Sequence, residues 1–173
     1  MTEKEFFNAV LNGSEDVLQL FLAAVSSAGV GYCVIGGLAV NAYAEPVVSL
    51  DLDVVVGAED VGRVCKAIEG HFRVERFAHS VNLSSDKSSL RIQLQTDPRY
   101  LDFIGRAAMH TVLGYKMRVA SIEDVLQGKI WAYLDEDRRK SKRQKDLADV
   151  ARLVEAFPDL TERLPEEIRK TLK

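Results

Sequence analysis

The sequence predicts an α+β chain: a mixed sheet flanked by helices over residues 1–120, followed by a helical subdomain over 121–173. Three observations carry that reading. Short apolar runs of strand length alternate with segments of helical period as far as Val119, and from Ser121 onward only helical periods remain. No Pro/Gly/Ser linker, internal repeat or low-complexity tract divides the chain. Its 173 residues, 47% of them hydrophobic, suffice for one sizeable core or a core with a small helical lobe.

The elements follow in order. Ser14 is placed to cap a helix whose apolar positions Val17, Leu18, Phe21, Leu22 and Val25 keep a helical period, with Gly29 or Gly31 closing it. Tyr32-Cys33-Val34-Ile35 reads as a buried strand, Gly36-Gly37 as a tight turn, and Leu38-Ala39-Val40 as the start of a helix. A second strand spans Leu50 to Val56, and Ala58 to Gly70 reads as a helix with Val61, Val64, Cys65 and Ile68 on one face. Strands are expected near His71–Phe77 and Ser89–Gln95, and shorter ones at Tyr100–Ile104 and Tyr115–Val119. Ser121 with Asp124 three residues on resembles a capping box, opening a helix that carries Val125, Leu126, Lys129, Ile130, Tyr133 and Leu134. A further helix runs from Arg138 to Ala156 and stops before Pro158, and a last short one starts at Pro165.

Composition narrows the function classes. A formal net charge of −3 argues against bulk electrostatic coating of nucleic acid, though a local basic patch is compatible with it. Cys33 and Cys65 lie in apolar contexts without metal-ligand spacing and read as buried, reduced thiols. The acidic start lacks a basic n-region, and every apolar stretch is shorter than the roughly 18–20 residues of a membrane span, so a soluble, cytoplasmic protein with no membrane partner is expected.

Chemistry concentrates at Asp51 and Asp53, two apart in an otherwise apolar strand. A period of two puts both carboxylates on one face, with Leu52 and Val54 on the other. Like charges on a half-buried surface repel and lose hydration unless a cation compensates, and Mg²⁺ is the natural candidate. The alternative is a strand end that leaves both in water. Upstream, Gly36-Gly37 closes one strand and opens a helix, a place where backbone N–H groups can approach phosphate.

Ile35-Gly36-Gly37 followed by Asp51-Leu52-Asp53 resembles the signature of the DNA-polymerase-β-type nucleotidyltransferase superfamily, in its AbiEii/MenA-like branch of type IV toxin–antitoxin nucleotidyltransferases. Gly36-Gly37-Leu38-Ala39, Ser49 ahead of Asp51, and Lys145-Asp146-Leu147-Ala148-Asp149 match that branch, over residues 30–156. The resemblance implies the nucleotidyltransferase fold. It also implies an NTP substrate, Mg²⁺ on Asp51 and Asp53, and phosphates near Gly36, Gly37 and Ser49. Lys129 and Asp146 are the lobe residues it brings to the nucleotide, in catalytic and nucleotide-binding roles. The reaction is transfer of a nucleoside monophosphate to a hydroxyl, with a tRNA 3′ end as acceptor and a protein side chain as the next candidate. A cognate antitoxin is the implied protein partner.

Two departures from the family pattern matter. The strand expected to supply a third carboxylate shows Arg91, Gln93 and Gln95 on its polar face, and a glutamine cannot act as general base. Asp97 shares their parity and is the candidate third acid, against a reading as a turn aspartate before Pro98. Val47 stands where the branch often has a basic residue. Lys129 either snorkels to water or reaches the β/γ-phosphates. The run Arg138-Arg139-Lys140-Ser141-Lys142-Arg143-Gln144-Lys145 is either a solvated face paired with Asp135, Glu136 and Asp137 or a patch for triphosphate or RNA. His71, His79 and His110 share no ligand spacing, and Trp131 and Tyr133 read as packing residues. The competing functions are a catalytically lapsed nucleotide- or partner-binding module of this fold and an aminoglycoside-type small-molecule transferase.

Overall fold

A computed structural model describes the whole chain, Met1–Lys173. Its strands are β1 (Tyr32–Ile35), β2 (Asp51–Val56), β3 (Arg73–Arg76), β4 (Ser80–Ser85), β5 (Ser88–Gln95), β6 (Ala108–Val112) and β7 (Tyr115–Val119). They form one sheet in the order β3-β4-β5-β2-β1-β7-β6. The β1–β2, β3–β4, β4–β5 and β6–β7 pairs are antiparallel, while β2–β5 and β1–β7 are parallel. The mixed sheet expected from the sequence is therefore present. All four residues of β1 are buried, so this interior strand beside the central β2 is apolar on both faces.

The helices are α1 (Glu3–Val10), α2 (Val17–Ser27), α3 (Gly36–Val40), α4 (Val61–Ala67), α5 (Phe103–Arg106), α6 (Ile122–Leu134), α7 (Lys140–Ala156) and α8 (Glu166–Thr171). The apolar stripe of α2, Val17, Leu18, Phe21, Leu22 and Val25, is buried as its period predicts. Gly29, at φ 67°, closes it in the left-handed region that glycine tolerates. Helices α6 and α7 pack on each other and reach the sheet through α3. Ser121 caps α6 by accepting from the Asp124 N–H at 3.2 Å.

Several elements differ from the sequence expectation. Asp16, not Ser14, caps α2: its carboxylate accepts from the Gln19 N–H at 3.0 Å, while Ser14 donates to the Lys87 carbonyl. The stretch Tyr100–Ile104 is helical rather than extended, since Asp97 and Pro98 start a 3₁₀ turn that runs on into α5. Tyr100 and Phe103 then sit one turn apart and both pack on Trp131, at 5.2 and 5.9 Å between ring centroids. The helix expected over 58–70 is a 3₁₀ turn, Ala58–Asp60, followed by the shorter α4. Strands β4 and β6 were not anticipated, whereas the N-terminal helices expected ahead of the sheet are α1 and α2. Cys33 is buried, its thiol pushed up to about 12 chiefly by burial, but Cys65 is only partly buried. No helix is long and apolar enough to cross a membrane.

Candidate active site

The site is built where β1, α3 and β2 meet. The β1–β2 register places Ile35 opposite Asp53, so the chain turns into α3 directly beside that carboxylate. Gly36 makes the turn at φ 75°, and a Cβ there would lie 2.4 Å from Asp53 Oδ2. Both backbone and space therefore demand glycine. Gly36→Ala should cost about 1–2 kcal/mol from the left-handed backbone alone, more with the contact, and should displace the Asp53 carboxylate; a urea melt paired with an activity assay checks both. Gly37 differs, since an added Cβ would make only ordinary contact, 3.7 Å from Asp149 Oδ2 and 3.9 Å from Ser49 Oγ. Its bare backbone leaves a gap between those two side chains.

Asp51 and Asp53 alternate with buried Leu52 and Val54, so both carboxylates share one face of β2, as the period-two reading requires. Their surroundings diverge. Asp51 accepts a forked pair of hydrogen bonds from Arg91, Nε to Oδ1 at 2.7 Å and Nη2 to Oδ2 at 3.3 Å. Ser49 braces the same residue through its hydroxyl, which accepts from the Asp51 N–H at 3.2 Å. Asp53 has no donor within the chain. Burial pushes its pKa above the ordinary aspartate value; the Lys129 charge pulls the other way, Asp51 adds to the rise, and Arg138 and Lys142 oppose it.

Behind Asp53 lies an ionic cluster supplied by the helical lobe. Lys129 of α6 is 8% exposed, and its Nζ reaches Asp146 Oδ1 at 3.0 Å and Asp149 Oδ2 at 2.9 Å. Desolvation works against the ammonium, but Asp149 and Asp146 outweigh it and hold the pKa above the ordinary lysine value. Asp146, 1% exposed, also binds Arg138 Nε at 2.7 Å. Asp149 is one helical turn on and binds Arg152 Nη1 at 2.8 Å. Arg152 extends the cluster to the loop after α3 by donating to Asn41 Oδ1 at 2.8 Å. Lys129 thus does not snorkel to water. It ties α6 to the two aspartates of α7, and its charge acts on Asp53 of the sheet.

The basic run divides in this geometry. Arg138 is bound to Asp146, and Lys142 acts electrostatically on Asp53. Arg143 donates to the Tyr133 carbonyl at 2.7 Å and lies over the Tyr133 ring. Arg139, Lys140 and Lys145 are exposed. The three preceding acids make no ion pair with the run.

Asp97 takes the turn role that its place before Pro98 allows. Its carboxylate accepts from the Arg99 N–H at 3.0 Å and from Arg99 Nε at 3.1 Å. Burial opposes its ionisation, but these Arg99 contacts prevail and keep its pKa below the usual range. Tyr100, in the turn that Asp97 starts, lies in the field of both Asp97 and Asp53. The β2–β5 register sets Gln93 opposite Asp53 and Arg91 opposite Asp51. His71 and His79 are exposed, and His110 packs edge-on against Tyr43 at 5.1 Å, so none joins the site.

Sequence reasoning missed Arg91 as a partner of Asp51, and Arg138 and Arg152 as partners of the lobe aspartates. Only for Arg152 was there a signal: its three-residue spacing from Asp149 puts the two on one face of a helix.

The donor set suits a hard divalent ion. Two carboxylates stand on one face, and one of them is desolvated and lacks a donor. No group of three or more His, Cys, Asp or Glu side chains is assembled, so water and substrate phosphate would complete the shell, as Mg²⁺ commonly allows.

Known proteins agree with this architecture. The crystal structure of ANT(2")-Ia in complex with adenylyl-2"-tobramycin is 18% identical, with 90% of this chain and 94% of that one covered and a TM-score of 0.62. The lincomycin-bound lincosamide antibiotic adenylyltransferase LnuA is 13% identical, with 82% and 99% covered and a TM-score of 0.56. An antigenic nucleotidyltransferase-like protein from Paracoccidioides brasiliensis is 18% identical, with 99% and 87% covered and a TM-score of 0.57. At such identities the likeness shows the nucleotidyltransferase fold. No curated protein sequence matches. The family model described as "Nucleotidyl transferase AbiEii toxin, Type IV TA system" matches residues 22–173. Spanning nearly the whole chain, sheet and lobe alike, that match places the protein in the AbiEii nucleotidyl transferase family of type IV toxin–antitoxin systems.

Proposed function

We propose that the protein transfers a nucleoside monophosphate from an NTP to a hydroxyl of RNA, with the tRNA 3′ end as acceptor, acting as the toxin of a toxin–antitoxin pair. The observation that carries the reading is Asp53, desolvated beside Asp51, without a donor, and flanked by Gly36 and the Lys129 cluster. Residues 1–120 supply the acids and the phosphate-facing turn, and residues 121–173 bring Lys129 and Asp146 to it.

Asp51 and Asp53 would hold Mg²⁺. Bound there, the ion neutralises charge on the triphosphate and on the departing pyrophosphate. The acceptor hydroxyl oxygen attacks the α-phosphorus and gives up its proton to water, the bond to the bridging oxygen breaks, and pyrophosphate leaves. Gly36, Gly37 and Ser49 border the space in which the phosphates lie, and Gly37 lets the backbone approach them. Lys129, a cation held in place by two aspartates, offsets negative charge as pyrophosphate forms. The exposed Arg139, Lys140 and Lys145 offer the RNA backbone three cations of the same basic run that supplies Arg138.

Purified protein incubated with Mg²⁺, total tRNA and each α-labelled NTP in turn should label tRNA with at least one nucleotide. Labelling of a protein or no acceptor at all, with tRNA untouched, would overturn the RNA assignment. A catalytically lapsed module is the second reading, favoured by Gln93 opposite Asp53 and by the engagement of Asp97 with Arg99. In the same assay Asp97→Asn should change the rate by less than about twofold, since asparagine still caps the turn. Gln93→Asp should raise the rate by restoring a carboxylate beside Asp53. A hundredfold loss in Asp97→Asn, the scale of a lost general base, would return that residue to the catalytic centre.

A further inference from the structure

Arg91 is the one cation on the acid face of the sheet that touches the candidate metal ligands. It stands opposite Asp51 in the parallel β2–β5 pairing, and its guanidinium grips both oxygens of that carboxylate. The strand it stands on is the one from which a third carboxylate was expected. A positive charge there has the opposite effect on a divalent ion: it occupies a ligand and repels the incoming cation.

We propose that Arg91 is a competing cation of the metal site, closing Asp51 in the metal-free chain and leaving it when a divalent ion binds. The proposal rests on the assignment of Asp51 and Asp53 as the metal pair. The geometry makes the exchange feasible. The Arg91 side chain is 65% exposed and that of Asp51 36%, so the pair is screened by water and weak enough to open. Asp53 keeps its donor-free carboxylate beside it, and a divalent ion satisfies both aspartates where Arg91 satisfies one. Arg91 therefore raises the metal concentration that the enzyme requires without blocking the site. The forked guanidinium, once released, is left beside the nucleotide site in the geometry that suits a phosphate.

The test is Mn²⁺ binding to the full, nucleotide-free protein, read from the electron paramagnetic resonance signal of the free ion. Arg91→Gln should bind Mn²⁺ about fivefold more tightly than the wild type, the factor an exposed ion pair supports, and Arg91→Lys should fall between them. Arg139→Gln removes an equal charge that makes no ion pair with Asp51 and should shift the affinity by much less. Asp53→Asn should lose most of the binding. If Asp53→Asn binds as well as the wild type, the acid pair is not the metal site and the functional reading itself fails. If Asp53→Asn loses binding while Arg91→Gln matches the wild type, or gains no more than Arg139→Gln, the competition is overturned and the metal site stands.

Discussion

Lys129→Met should destabilise the protein by about 2–4 kcal/mol, a large share of a typical domain's total, and abolish nucleotidyl transfer. Methionine fills a similar volume, so packing is not the main loss. The loss is the ammonium that ties Asp146 and Asp149 together at 3.0 and 2.9 Å. Without it two carboxylates one helical turn apart, Asp146 buried and Asp149 partly buried, keep only Arg138 and Arg152. Those remaining partners are why the expected cost lies at the low end for a broken buried pair. A triple variant, Lys129→Met with Asp146→Asn and Asp149→Asn, removes the uncompensated charge and should recover most of the stability but none of the activity. Urea denaturation of both variants beside a labelling assay separates the two roles. Wild-type stability in Lys129→Met would mean that the cluster is not what ties α6 to α7.

That cluster also shows where the sequence was legible. Asp51, Asp53 and the Gly36-Gly37 turn were readable because strand period and turn chemistry are local: two residues of spacing fix a common face, and a positive φ calls for glycine. The partners of these residues were not readable, since they come from elements far apart in the chain. Arg91 meets Asp51 only because β5 pairs in parallel with β2. Arg152 meets Asn41 only because α7 folds back on α3. The same division holds for the fold. The central strands announce themselves as apolar runs, whereas β4 (Ser-Val-Asn-Leu-Ser-Ser) and the edge strand β6 carry too few apolar positions to declare a period. Tyr100–Ile104 misled because an apolar run of five fits either a strand or a helical turn. The cap on Asp97 and the packing of Tyr100 and Phe103 on Trp131 decide for the helix.

Asp53→Asn should reduce transfer by on the order of 10³ or more, as losing a metal's charge stabilisation implies, and yet raise the melting temperature of the metal-free protein. The second half follows from the raised pKa of Asp53, whose largest cause is burial. The folded state holds the Asp53 proton more tightly than the unfolded chain, whose aspartate titrates near about 3.9. Between the unfolded and folded values the native state binds more protons, so stability falls as pH rises through that window and stays lower above it. At any pH above the unfolded value the raised proton affinity is thus a standing cost, which asparagine removes. The gain in Asp53→Asn should therefore be full above the folded pKa and fade as pH drops below the unfolded value. Asp51→Asn should show no such gain, because it forfeits the forked ion pair with Arg91. Mg²⁺ should stabilise the wild type by relieving the same strain and leave Asp53→Asn nearly unmoved. Melting curves at pH 4 and pH 8, with and without Mg²⁺, give all of these comparisons. A variant that melts below the wild type at both pH values would mean that the Asp53 charge is already compensated within the fold, and the case for a cation between the two aspartates would fall with it.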